Sequence, residues 1–358
     1  MLRRVDFKMP PMDTSSTQKG HAAPAWTLVL LAPLISEVLP GATRISAIFV
    51  FPIEVAIWGG GALLIREAVR RWHLGWLNML FLAFALSIAE EFLIQQTSVA
   101  PMVIQIFPGE PFARAWGVNY VYFLWALFYE AVLVVFVPIV LTELMFRARR
   151  EVPWLKTWST WMVGIILVLA CFPAWYSWTQ IARPQVFHVP VFNPPLAHVL
   201  LASLTMVALI FAAIGPRRRA LTSIAVPLAP PSPWLLGSGA AIAAAVWYGL
   251  CLLAFGIRPL FPPAIAVAVG LAIVVTAIYL LPKFAAHPAW RDTHLVGLIL
   301  GCVISTMAVN FFGFIYATSK LDLYGKIILD VIATVLLTWL AMRVAAKTAS
   351  ATSTVRIA

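Results

Sequence analysis

The sequence predicts an all-α, polytopic transmembrane bundle of about ten helices, and three observations lead there. Of the 358 residues, 62% are hydrophobic and only 11% are charged, well under the ~25% charged residues of a soluble domain, and the mean hydropathy is +0.92. Apolar runs long enough to cross a bilayer recur along the whole chain. Lysine and arginine gather in short clusters between those runs, as positive-inside topology requires. Together these exclude a soluble enzyme, a disordered chain and a disulfide-stapled secreted module. The runs are continuous rather than alternating, which excludes a β-barrel; helices then satisfy the backbone within the hydrocarbon.

Residues 1–24 read as a cytoplasmic tail carrying Arg3, Arg4, Lys8 and Lys19. This leader is long and no small-residue cleavage site closes the run behind it, so that run is expected as a retained span rather than a signal peptide. The spans are expected at 25–40, 46–66, 76–97, 119–145, 158–178, 196–214, 234–256, 260–281, 293–316 and 326–346, with 347–358 as a second cytoplasmic tail. One transmembrane domain, 25–346, therefore holds an acidic half (25–145) and a mostly apolar half (158–346). Of 14 acidic residues, only Asp292, Asp322 and Asp330 fall in the second half. That imbalance argues against two equivalent transporter halves and assigns function to the first four spans.

With both termini inside, all but six of the 25 lysines and arginines fall on the cytoplasmic side. The outer six are Arg44, Arg114, Arg183, Arg258, Lys320 and Lys326. The net charge of +11 thus follows from topology and not from nucleic-acid binding. Trp72, Trp76, Trp154, Trp158, Trp161, Trp175 and Trp178 flank the spans as interfacial anchors. Cys171, Cys251 and Cys302 are far apart in apolar runs, with no disulfide or zinc spacing.

Ionisable groups inside spans cost ~2.5–3.5 kcal/mol on insertion scales and are functional candidates by default. The third span holds Glu90 and Glu91 side by side. Adjacent helical positions diverge by about 100°, so the two cannot both face one narrow neighbour, though they can line a wide polar cavity. Ser87, Glu91 and Gln95 form one stripe, and Gln96 extends it on the Glu90 side. Glu54 in the second span and Glu130 in the fourth lie at similar depth, and Glu37 ends the first. Tyr122 shares the Glu130 face, Tyr129 can donate to a nearby carboxylate, Thr306 and Asn310 share a stripe of the ninth span, and His198 opens the sixth. Carboxylates this close in a low dielectric cannot both ionise cheaply, so one is expected to hold a proton near neutral pH. Two blander accounts stay open: a pair reaching the outer headgroups, and a protonated network that only joins helices.

Gly59, Gly60 and Gly61 follow Glu54 and allow either close helix packing or a helix break beside a site. Arg66 and Glu67 are expected as interfacial anchors that snorkel to the surface. Lys326 and Asp330 form an i, i+4 ion pair. No metal or cofactor is expected: HExxH, a Walker loop, a nucleotide fingerprint and a serine elbow are all missing.

The segment WGGGALLIREAVRRW followed by ALSIAEEFLIQQ resembles a group of uncharacterised bacterial multi-pass membrane proteins, over about residues 26–100. That resemblance implies a bacterial inner-membrane location and no particular activity. Glu90-Glu91 also resembles the first motif, EExxxR, of the CAAX-protease and bacteriocin-processing intramembrane proteases. In that family glutamates and two histidines activate a water; here Gln95 stands at the arginine position, and Val, Leu, Leu and Ala follow His198.

The function expected is proton- or cation-coupled translocation of a small solute, with Glu90, Glu91, Glu54 and Glu130 as the binding groups. The alternatives are a glutamate-dependent intramembrane hydrolase and a non-catalytic assembly or regulatory protein. The partners expected are the lipid bilayer and a small solute or proton, without nucleic acid; the sequence sets no oligomeric state.

Overall fold

The computed structural model describes residues 22–103, 113–215, 226–254, 262–317 and 319–357. Of the residues singled out in the sequence, Arg3, Arg4, Lys8, Lys19, the 217–219 arginines and Arg258 lie outside these ranges. The structure is 79% helical. Its only strands among the described residues are β1 (Arg114–Ala115) and β2 (Val118–Asn119), an antiparallel pair with Arg114 opposite Asn119.

Among the described residues, ten helices carry the apolar runs. The first, α1 (Ala23–Val38), is followed by α2 (Ile45–Arg71), α3 (Trp76–Ile94), α4 (Tyr120–Met145), α5 (Thr157–Val186) and α6 (Leu196–Ile214). The remaining four are α7 (Pro233–Ala254), α8 (Pro263–Ala285), α9 (Asp292–Ala317) and α10 (Lys320–Ile357). Among the described residues, the nine from α2 to α10 are long and apolar enough to cross a membrane. At 1.5 Å per residue α1 measures only about 24 Å, against ~30 Å of hydrocarbon. The ten expected spans are therefore nine full-length helices and one short one.

Local chemistry sets several helix starts. Pro24, Pro233 and Pro263 stand in first turns, where a missing N–H is harmless. The Asn119 side chain accepts the Tyr122 N–H and caps α4. Other prolines fall within the helices, and the backbone beside them widens into π turns: Pro33 before Leu34–Val38, Pro52 before Val55–Gly59, Pro138 after Glu130–Phe136 and Pro173 before Ser177–Val186. A proline lacks the donor for its i−4 carbonyl and crowds it; for Pro138 that carbonyl, on Val134, lies inside the π stretch Glu130–Phe136, which accommodates it.

Two hydrophobic cores share α1 and α4. One joins α1, α2, α3, α4 and α5 around Leu28, Ile57, Leu63, Ala83 and Ile139. The other joins α1 and α4 to α7, α8, α9 and α10 around Trp125, Tyr129, Trp247, Val303 and Leu340. Small residues bring α7 and α9 together: a Cβ at Gly297 or Gly301 would strike the carbonyl oxygens of Pro233 and Gly237 respectively. That pair is the close-approach arrangement of membrane helices. The outward faces of α5, α6 and α10 are apolar, with Trp161, Leu169, Leu204, Phe211, Val331 and Leu336 exposed. Such a belt is compatible with a multi-pass membrane protein.

At one end of the bundle α2 meets the 146–156 connection. Arg66 and Glu67 are fully buried, where the sequence suggests groups reaching out to headgroups. Arg66 donates to Glu143 (3.2 Å), Glu67 (3.1 Å) and the carbonyls of Val152 (2.8 Å), Arg150 (2.8 Å) and Arg149 (3.2 Å). Its guanidinium stacks 3.5 Å from the Trp154 ring centre. Glu67 accepts the backbone N–H groups of Trp154 (2.7 Å) and Leu155 (3.2 Å). The connection folds back over both side chains, so they satisfy its backbone and cannot snorkel.

Candidate functional site

Glu54 lies twelve positions before Arg66 on α2, about 18 Å away along the axis. At that opposite end the carboxyls collect. α3 closes on a π turn, Glu90–Ile94, in which the Gln95 N–H reaches the Glu90 carbonyl at 2.9 Å. The extra residue in the turn alters the angular spacing of a regular α-helix. Glu90 and Glu91 are both buried, and both join Glu130, which opens the π stretch of α4. One carboxyl oxygen from each of the three lies within 4.8 Å of the others.

Two more carboxyls extend the group. Glu37 sits in the π turn of α1, and Glu54 immediately precedes the π turn of α2. Glu37 interacts electrostatically with both Glu54 and Glu91, and with Glu90 and Glu130 in turn. Five carboxyls from four helices thus form one chain, with Glu37 as the link from Glu54 to the central three. Glu37 carries no weight in the sequence-based site, because it ends its run; Pro33, four residues earlier inside an apolar helix, is the signal that marks the distorted turn around it.

Hydroxyl and indole donors surround the chain. Trp58 Nε1 donates to Glu37 at 2.8 Å, the Thr43 hydroxyl to Glu54, and Ser98 Oγ to Glu91 at 2.5 Å. Ser87 faces Glu130. Among the described residues no lysine or arginine forms an ion pair with any of the five.

The segment 95–103 covers this end. Gln95 is half-buried just beyond the last turn of α3. Gln96 is buried, with φ +62°, and its N–H turns back to the Glu90 carbonyl. Arg114 clamps the segment through the carbonyls of Val99 and Ala100, each at 2.8 Å, and Arg183 donates to Pro101 at 3.1 Å. Burial pulls the Arg114 guanidinium below its usual pKa, although an arginine stays charged.

Other expected site residues lie elsewhere. Tyr129 stacks on Trp125 at 4.6 Å and its hydroxyl donates to the Ser36 carbonyl, beside Glu37. Tyr122 belongs to the same aromatic layer, between α4 and α7. His198 bonds the Trp116 carbonyl at 2.8 Å. Asn310 donates to the Thr306 carbonyl at 2.8 Å within α9. Of the three glycines, Gly59 meets α1, where a Cβ would strike the Val29 carbonyl oxygen. A Cβ on Gly61 would lie 2.6 Å from a Leu86 methyl, and one on Gly60 no closer than 3.7 Å to any neighbour.

Comparison of the chain with protein-family models, with curated proteins and with solved structures gives no match.

Proposed function

We propose that this chain is a membrane carrier whose carboxyl cluster takes up a proton or a cation, coupled to translocation of a small solute. One observation carries the reading: five carboxyls from four helices converge without a basic partner among the described residues. At an effective dielectric of ~20, two ionised carboxylates within 4.8 Å repel by at least about 3 kcal/mol. Protons or a cation relieve that repulsion, so the cluster has a built-in demand for positive charge. The four π turns that hold or adjoin all five positions support it, because such distortions concentrate at functional sites. A helix-joining role needs neither so many carboxyls nor their crowding. The hydrolase that the CAAX-protease resemblance implies would also use two histidines at the pair, and His198 is engaged with Trp116 instead.

In this reading the chain sits in a bacterial inner membrane with both termini cytoplasmic, and α1 crosses as the short tenth span. The test is reconstitution in liposomes with an internal pH dye. Candidate solutes are added outside the wild type and the E90Q/E91Q double variant. Solute-dependent proton or cation flux in the wild type, lost in a folded double variant, is the expected result. A folded double variant with full, still pH-dependent flux refutes the site.

A further inference from the structure

We infer that Glu90, Glu91, Glu130 and Ser87 form a binding site for a calcium-sized divalent cation. The inference rests on the carrier reading and deepens it by naming the cation.

The donor set comes first. All four side chains offer oxygen and none offers nitrogen or sulfur, which suits a hard cation over zinc, copper or iron. Size comes next. Two oxygens bound to one ion sit no farther apart than twice the metal–oxygen distance. For magnesium, at about 2.0–2.1 Å, that limit is about 4.2 Å; for calcium, at about 2.3–2.6 Å, it reaches about 5 Å. The three carboxyl oxygens lie within 4.8 Å of one another, inside the calcium limit, and magnesium, which dehydrates reluctantly and keeps several waters, is seldom held by an all-protein cage of this kind. Charge then favours a divalent ion, because up to three negative charges gather there with no ion-paired lysine or arginine among the described residues.

Ser87 is what lifts this group above a mere concentration of acids. Its side chain is fully buried, and its hydroxyl oxygen makes no hydrogen bond of acceptable geometry. Hydroxyls inside membrane helices ordinarily bond the carbonyl four residues back, as Thr142, Thr179 and Thr205 do here. Ser87 forgoes that bond and faces Glu130. A buried hydroxyl left over beside a carboxylate trio is the fourth oxygen that a cation would use.

The test is calorimetric titration of the full-length protein in lipid nanodiscs with calcium, magnesium and sodium chlorides. Saturable calcium binding, at least about tenfold tighter than magnesium, is expected. Glu130→Gln should weaken it by about tenfold or more, and Ser87→Ala by several-fold. Ser87→Ala removes only one oxygen, so it decides the matter if Glu130→Gln does not fold. No saturable calcium binding, equal affinity for magnesium, or unchanged affinity in a folded Ser87→Ala protein overturns the proposal. Glutamate-dependent proton flux in liposomes without calcium binding would sink this inference and leave the carrier standing. Calcium binding with no flux of any solute would do the reverse.

Discussion

The hydroxyl of Ser98 donates to Oε2 of Glu91 at 2.5 Å, so the segment that covers the carboxyl cluster is fastened to one of the groups it covers. Any change in what Glu91 holds is felt directly by residues 95–103. Their other ties include the Gln95 and Gln96 N–H groups to the Glu90 carbonyl, backbone carbonyls to Arg114 and Arg183, and the Asn119 N–H to the Ser98 carbonyl.

Ser98→Ala removes that donor from a buried carboxyl. The expected loss is about 1–3 kcal/mol, read as a lower unfolding midpoint in detergent. Amide exchange over 96–103 should quicken at the same time. Unchanged exchange there would mean the arginine clamps alone hold the segment.

The three consecutive glycines should tolerate alanine in a definite order. Gly60→Ala should be nearly silent, since its nearest neighbours would stand 3.7 Å away. Gly61→Ala should cost little, because the Leu86 side chain can shift. Gly59→Ala forces a Cβ against the rigid backbone of α1 at Val29, with an expected overpacking loss of about 1–3 kcal/mol. Thermal unfolding of the three single variants checks the ranking, and an equal loss at all three would contradict the packing described.

Arg66→Lys keeps the charge and loses the fork that reaches Glu143, Glu67 and three carbonyls at once. Arg66→Met leaves Glu67 without one buried partner, an effect of about 3–5 kcal/mol when a buried pair is broken. Both should increase protease cleavage within 146–156, the methionine variant more. Resistance equal to wild type in Arg66→Met would show that the loop is held by other contacts.

Topology is tested by fusions. A periplasm-active reporter placed after residue 105 or residue 185 should be active, and one placed after residue 152 silent. A cytoplasmic signal at 105 with an external one at 152 would invert the orientation inferred from charge.

Element positions are legible in the sequence because an apolar run and the helix it forms share nearly the same ends: 119–145 against Tyr120–Met145, 196–214 against Leu196–Ile214, 76–97 against Trp76–Ile94. Membrane-length runs leave the backbone few alternatives. Within the site, Glu90, Glu91, Glu54 and Glu130 stand out by their insertion cost alone. Their mutual arrangement does not, because the arithmetic of a regular α-helix separates Glu90 from Glu91, and π turns are invisible to it. The prolines at 33, 52 and 138 hint at those turns; α3 has no such marker. Arg66 misleads for a different reason. Snorkelling assumes open solvent beyond the helix end, and here the connection 149–155 returns to occupy that place, as only long-range structure can reveal.

The Arg66 enclosure bears on how the chain is made. Its side chain emerges from the ribosome more than eighty residues before the Arg150 and Val152 carbonyls that receive it. Until that later stretch arrives, a guanidinium at the end of α2 has to rest on water or lipid headgroups. A nascent chain stalled before residue 152 therefore displays unmatched charge, a mark by which quality-control proteases could tell it from a finished one. The same delay makes α5 the latch of the acidic half: the first four helices acquire their final electrostatic closure only as the fifth begins.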